Sequence, residues 1–368
     1  MNIAIVLQGG VDRSEELRVI PVLLGLVGRL AAHHDVRVFA MRQEPRSSSW
    51  TLRGARVHNI GSTYAVHRAV AALRAEHRRK PFDVVHALWT GTSGLAGAIA
   101  ARMLGVPLLV HLTGGELVSL PEVGYGQLRQ LRWRILNRWI LNQARIVTVT
   151  SQPIAALAAR AGYRTQRVPL GVDVTDWPPR PPVPRDAAAT ARLIQVASLN
   201  RVKDHATTLA ALRILRTSGL DVVLDLVGED TLRGAVERLA QQLGIAKAVR
   251  FHGFLTQRAL RPLFEAAHVH VVSSLHEAGP AAALEAALIG VPTVGTHVGH
   301  LAEWRNEAAL TVPPRDAAGL AHHIARLLAD EPLRLRIARA AQARALDEDA
   351  AYTAARFESL YVEVTRRG

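Results

Sequence analysis

At 368 residues, with 49% hydrophobic and 21% charged residues, the chain is long enough for two domains of ordinary size, each with its own core. It contains no cysteine, which excludes a disulfide framework and any thiolate metal site and is compatible with a reducing compartment. The formal net charge of +14 comes almost entirely from arginine, since lysine occurs only at Lys80, Lys203 and Lys247; it suits anionic ligands or anionic lipid, while 5% aromatics and no aromatic-interleaved basic run argue against nucleic acid.

The N-terminal run lacks a basic segment before its apolar residues. The apolar run Val19–Val27 is too short to span a bilayer and is bounded by Glu15, Glu16 and Arg29. A soluble cytoplasmic protein is expected, at most peripheral at the inner face of a membrane. Asn2–Leu7 predicts a buried strand, followed by Gly9-Gly10, a helix from about Ser14 to Ala32 and a strand Val36–Ala40, the opening βαβ of a doubly wound domain. The glycine pair lets backbone approach a ligand, but Val11, Asp12 and Arg13 follow, so this is not G-x-G-x-x-G; a plain tight turn is the equal alternative.

Phe82–Ala87 predicts a strand, then a Gly-rich turn, a helix Leu95–Leu104 and a strand Pro107–Leu112. His86 and His111 fall near the C-terminal ends of strands, where open α/β sheets bind ligands, although a lone histidine there is more often a structural hydrogen-bonder. Gln127–Gln143 predicts a long basic helix. Arg132 falls among its apolar positions Leu128, Leu131, Ile135 and Trp139, so a packed helix with arginine stems along its sides is favoured over a membrane-docking one. A strand Ile146–Ser151 and a helix Pro153–Ala161 follow, and the Pro-rich span Trp177–Pro184 reads as a connector.

The second half opens with a strand Leu193–Ala197, a basic loop containing Arg201 and Lys203, and a helix Ala206–Arg216; such a loop between strand end and helix suits a diphosphate. Val222–Val227 is a strand ending at Gly228, and Val249–Gly253 a short strand containing Arg250 and Phe251. The central stretch is Val271–Val294. A strand leads into a turn carrying Glu277, Gly279 and Pro280, then an Ala-rich helix carrying Glu285 and stopped by Gly290 and Pro292. One carboxylate thus precedes a helix N-terminus and the other lies on the helix. The N-terminus, with Gly279, Ala281 and Ala282, offers N–H groups and partial positive charge to a phosphate, and a carboxylate can hold sugar hydroxyls. Three helices, Ala317–Leu328, Glu331–Ala345 and Tyr352–Thr365, complete the chain.

This stretch resembles the signature of the family 4 retaining glycosyltransferases, which have the GT-B fold: Glu, seven residues, Glu, a small-residue helix end and a Gly-x-Pro turn, here Glu277, Glu285 and Gly290-Val291-Pro292. Val168-Pro169-Leu170-Gly171-Val172-Asp173 resembles the family's Pro-Asn-Gly-Val-Asp turn with Leu170 for Asn, and Lys203 matches the family's lysine while Ser198 stands where its arginine is usual. Thr113, before Gly114-Gly115, stands where the family carries a histidine, and His300 replaces a residue that is often Gly.

The resemblance implies two Rossmann-like α/β domains facing each other across a cleft, over 1–176 and 191–350, with a linker 177–190 and a final helix, 351–368, crossing back to the first. It implies transfer of a hexose from a nucleotide diphosphate sugar, such as a UDP- or GDP-hexose, to a hydroxyl on a glycan, lipid-linked glycan or small molecule, with retention and without metal. Lys203 and Arg201 would stabilise the leaving diphosphate, Glu277 hold the hexose and Glu285 the ribose. Gly228, Arg250, Phe251 and Gly253 would border the base. Gly9 and Gly10 would face the cleft, and His86, His111 and Thr113 are candidates for the sugar or acceptor. Asp347-Glu348-Asp349 has the D-x-D form used for metal elsewhere but reads as a helix-start acid cluster. A nucleotide-sugar epimerase or phosphorylase, a non-catalytic nucleotide-sugar-binding protein, and a glycosidase using the two glutamates remain the alternatives.

Overall fold

The computed structural model describes residues 1–61 and 65–366, which form two compact units: Met1–Asp173 with Glu348–Gly368, and Val174–Asp347. In the first unit the strands are β1 (Asn2–Leu7), β2 (Asp35–Ala40), β3 (Ser48–Leu52), β4 (Ala55–Asn59), β5 (Val84–Leu88), β6 (Leu108–Leu112), β7 (Ile146–Val149) and β8 (Gln166–Arg167), in the order β3-β4-β2-β1-β5-β6-β7-β8. All neighbours are parallel except the β3–β4 hairpin. Strand β1 is buried along its whole length, as a central parallel strand covered on both faces must be, which is why it reads as an unbroken apolar run.

Several boundaries differ from expectation for local reasons. The first helix is Pro21–Ala31, not Ser14–Ala32: Pro21 sits in its first turn, and Glu15 and Arg18 upstream hold positive φ of 58° and 52°, which no α-helix tolerates. The basic helix begins at Leu131 because Gln130 is extended. It turns Asn137, Ile140 and Leu141 inward and leaves Leu131 and Ile135 exposed, so the apolar stripe read as its packing face points outward.

The last helix, Ala350–Arg366, belongs to the first unit. The Pro169–Asp173 turn holds its start: Ala350 N–H donates to the Val172 carbonyl (3.1 Å), and Thr353 Oγ1 donates to that of Pro169 (2.8 Å). A Cβ on Gly171 would lie 2.1 Å from the Glu348 carbonyl oxygen, so only glycine allows the chain to cross there. The D-x-D acids serve this junction. Glu348 makes a bidentate pair with Arg167 (2.5 and 2.8 Å), and Asp349 accepts the Tyr352 N–H (2.9 Å) as a helix cap. Further along, Phe357 packs between His86 and His111 with ring centroids 4.6 and 5.2 Å away, and Tyr361 hydroxyl bonds His86 Nδ1 at 2.7 Å. Burying each such aromatic contributes on the order of 1.5–3 kcal/mol.

The second unit contains β9 (Ala191–Val196), β10 (Val222–Val227), β11 (Val249–Phe251), β12 (Val269–Val272), β13 (Thr293–Thr296) and β14 (Ala309–Val312), all parallel in the order β11-β10-β9-β12-β13-β14. This is the doubly wound order, with its reversal between β9 and β12. The Pro-rich span expected as a connector is seated on this unit. Trp177 is buried and its indole N–H donates to the Glu285 carbonyl (2.9 Å), Arg180 N–H donates to that of Leu288 (2.9 Å), and Gly290 lies against Pro182. No described helix is long and apolar enough to cross a membrane.

Three wholly buried histidines, His86, His111 and His270, are held neutral by burial, with His86 and His270 pushed down to about 3. The folded state therefore refuses protons that the unfolded chain accepts below about pH 6.5. The histidine contribution to stability should be full above that pH and fall toward about pH 3, each such histidine steepening the slope by up to about 1.4 kcal/mol per pH unit. Urea unfolding of His86→Gln across this range should give a shallower acid slope than the parent; parallel slopes would assign the acid sensitivity elsewhere.

Candidate active site

In the second unit, the loops leaving β9 and β12 meet at the point where the strand order reverses. Asn200 Oδ1 accepts the Lys203 N–H (3.2 Å), and Asp204 takes a left-handed φ of 47°, so the chain turns sharply before the helix His205–Thr217. The two loops are stitched together by backbone. Leu275 N–H donates to the Val202 carbonyl (2.8 Å), and Ser273 Oγ donates to that of Lys203 (2.8 Å) while Gln195 Nε2 donates to Ser273 Oγ (3.1 Å).

On this frame Lys203 Nζ and Ser274 Oγ both donate to Glu277 Oε1, at 2.5 and 2.6 Å. Oε2 has no hydrogen-bond partner among the described residues. The pair borders a cavity of about 190 Å³, lined also by Gln195, Ala197, Gly279, Pro280, Ala281 and Ala282. Pro280 caps the helix Ala281–Leu288 rather than entering its first turn, leaving the Ala281 and Ala282 N–H groups without intrahelical partners at the cavity wall. Gly299 packs against the turn before this helix: at φ 51° its absent Cβ would stand 2.9 Å from the Ala278 carbonyl oxygen. Such a volume is below the usual ~300–1,000 Å³ of small-molecule sites and fits part of a ligand, such as a phosphoryl group.

The sequence therefore brings Lys203, Glu277, Gly279, Ala281 and Ala282 together. Glu285 does not line this cavity. It is buried and accepts from Gln257 Nε2 (2.8 Å) at the start of the helix Gln257–Glu265. Burial pushes its carboxyl above the ordinary range, only partly opposed by Gln257. Arg201 is exposed, on the turn beside Lys203, and contributes nothing to the cavity wall. Gly228 and Gly253 lie at the ends of β10 and β11, where Gly228 N–H donates to the Gly253 carbonyl (2.8 Å). Gly228 must be glycine: a Cβ would sit 2.1 Å from the Ala197 carbonyl oxygen. Arg250 is exposed on β11, and Phe251 is half-buried against the core. Gln195, Ser273, Ser274 and Gln257 were not legible beforehand; the Ser-Ser pair at the end of an apolar strand was the one available signal.

The first-unit candidates have other duties. His86 and His111 are fully buried under the last helix, His111 Nδ1 bonding Thr148 Oγ1 (2.8 Å), so neither reaches a ligand at the surface. Gly9-Gly10 forms a closed turn. Gln43 Oε1 already accepts the Gly10 and Val11 N–H groups (2.7 and 3.0 Å), and at Gly10, with φ 91°, a Cβ would meet Ile20 at 2.7 Å. Thr113 is half-buried after β6, where the Thr113 and Gly114 N–H groups donate to the Glu116 carboxylate (3.1 and 2.7 Å). Burial raises the Glu116 carboxyl despite these bonds.

Comparison with known proteins places the chain. Residues 19–171 match the glycosyl transferase 4-like domain, and residues 186–344 match glycosyl transferases group 1. The chain is 29% identical over 345 residues to D-inositol 3-phosphate glycosyltransferase of Pseudarthrobacter chlorophenolicus, covering 85% of this chain and 82% of that protein. It is 33% identical over 176 residues to glycogen synthase of Mycobacterium tuberculosis, a match spanning 47% of this chain but only 42% of that enzyme's length. Among solved structures, Anabaena HepE in complex with UDP-glucose superposes with a TM-score of 0.76 at 20% identity, covering 99% of this chain and all of that one, a likeness of fold.

Because Glu285 keeps its proton to higher pH when folded than when unfolded, its burial favours the folded state below about pH 4.5 and that advantage is lost as pH rises through the raised value. Glu285→Gln has no such loss. The melting-temperature difference, variant minus parent, should therefore grow from pH 4.5 upward; a difference constant with pH would deny that Glu285 titrates high.

Proposed function

The chain belongs to the GT4-type glycosyltransferases of GT-B fold, and from this premise we propose that it transfers a hexose from a nucleotide diphosphate sugar to a hydroxyl acceptor with retention of configuration. The observation that carries the reading is the Lys203–Glu277 pair beside two free N–H groups of a helix start, at the reversal point of a parallel sheet. When a donor enters, its diphosphate takes the Lys203 ammonium from Glu277. Glu277, released, accepts hydroxyl hydrogens of the hexose. As the bond to the sugar breaks, negative charge grows on the leaving phosphate, where Lys203 and the Ala281 and Ala282 N–H groups are already aimed. The acceptor attacks the same face, and the leaving oxygen takes its proton, so no side-chain nucleophile is needed.

Glu285 grips the ribose in this reading, with Gln257 orienting the carboxylate. Arg201 is the nearest further cation on the same turn. The positive charge available makes a divalent metal unnecessary. A UDP- or GDP-hexose is the expected donor, and HepE, of like fold, is known with UDP-glucose. A glycan, a lipid-linked glycan or a small molecule serves as acceptor. The glycosidase alternative needs two carboxylates across one bond, whereas Glu277 and Glu285 face Lys203 and Gln257 respectively.

Nucleotide sugars or UDP and GDP should raise the melting temperature, while NAD and NADP should not, and activity should survive EDTA. Stabilisation by NAD alone, or manganese-restored activity after chelation, would overturn the reading. Lys203→Ala should cut turnover about 10²–10³-fold with a smaller effect on donor binding, because its contact strengthens in the transition state. Glu285→Ala should chiefly raise the donor KM, since the ribose does not change during reaction. Equal losses in both variants, matched by lowered melting temperatures without ligand, would leave these residues a structural role only.

A further inference from the structure

Between Val123 and Val172 the chain holds eight arginines and no acid. Four of them lie on or just before the helix Leu131–Gln143. Its inward face is Asn137, Ile140 and Leu141, with Asn137 Nδ2 donating to the Glu116 carbonyl (3.1 Å) and to Gln127 Oε1 (2.9 Å). On the opposite face Leu131 and Ile135 are 70% and 62% exposed and stand one turn apart, with half-buried Trp139 one turn further. Arg132 flanks this strip on one side and Arg134 and Arg138 on the other. Arg129, just upstream, donates to the Gly124 carbonyl, Arg132 to Gln130 and Arg134 to the Leu128 carbonyl; none of the four pairs with a carboxylate among the described residues.

We propose that this face docks on an anionic lipid surface, with Leu131, Ile135 and the Trp139 ring entering the headgroup–acyl boundary and the four guanidiniums meeting lipid phosphates. An apolar strip between two rows of cations is the arrangement an interfacial helix requires, and arginine stems let the charge stay at headgroup level while the strip sinks. No carboxylate pairs with these four guanidiniums among the described residues, so their charge is available to an anionic leaflet. A nucleic-acid backbone would match the arginines but give the apolar strip nothing to cover it. A second copy of this face would bring eight guanidiniums together, which electrostatics opposes. The proposal does not depend on which sugar is moved.

The test is co-sedimentation with vesicles of phosphatidylcholine alone or with phosphatidylglycerol added. Binding should require the anionic lipid and weaken with salt. Arg134→Gln/Arg138→Gln, which disturbs no buried contact, should weaken it about fivefold per arginine removed. Leu131→Ser/Ile135→Ser should weaken it further, and lipids brominated in the acyl chain should quench tryptophan fluorescence in the parent but much less in Trp139→Phe. All variants should melt, and respond to UDP, as the parent does. No binding at low salt, equal binding to phosphatidylcholine alone, or binding unchanged in both double variants would overturn the proposal. So would tighter binding to duplex nucleic acid that ignores Leu131 and Ile135, or concentration-dependent self-association abolished by their substitution.

Discussion

Every strand of the second unit points the same way, so every exit loop is delivered to one edge of its sheet. Where the order reverses, between β9 and β12, the two exit loops diverge and leave a gap that only their own side chains can border. That constraint brings together Lys203 and Glu277, which are 74 residues apart in sequence. The bonds from Leu275 to Val202 and from Ser273 to Lys203 then fix the loops as one piece. Gly228, Gly295 and Gly299 permit close backbone approaches that keep this edge compact.

The ion pair at the centre is a poor device for stability. Its side chains are 24% and 12% exposed, so the attraction is partly screened, and what burial strengthens in the pair it also charges as desolvation. A contact of small net value is readily exchanged for another anion. Two oxygens with different status, one carrying both the ammonium and the Ser274 hydroxyl and the other free, suit a carboxylate that changes partners. Glu285 is the opposite case: enclosed, held by one amide and costly to ionise, it has little freedom to be anything but a fixed acceptor.

The central parallel strands were legible in sequence because burial on both faces leaves largely apolar runs, as in β1, and as in β10 and β12, where Asp225 and His270 are the single interruptions. Elements at the margin were not. Strand β3 reads Ser-Ser-Trp-Thr-Leu and pairs only as a hairpin edge, and the helix Ala65–Arg79 buries only Ala65, Ala69, Leu73 and Glu76. The Ser14–Arg18 segment has a helical composition, yet Pro21 and two left-handed residues reset the start. For the basic helix, periodicity found the apolar stripe but not the direction it faces, because Asn137, the residue that anchors the other face, is polar. At the site, Lys203, Glu277 and the helix start were readable from spacing. Gln257 and Gln43 were not, since each acts through a contact distant in sequence. His86 and His111 were misleading for the same reason: the helix that covers them lies some 250 residues later.

That covering helix sets an order of assembly. A chain made from its N-terminus emerges with β5 and β6 complete but with the seat of Phe357 and Tyr361 vacant, and His86 and His111 open to water and to protons. All of Val174–Asp347, contiguous in sequence, has to be synthesised before Ala350–Arg366 arrives. The later-made unit is thus the one able to fold in a single stretch, while the earlier-made one waits with an unfinished core, and at ordinary synthesis rates that wait is on the order of ten seconds or more. The exposed seat between β5 and β6 is where a chaperone, or a mispaired neighbour, would find this protein during its birth.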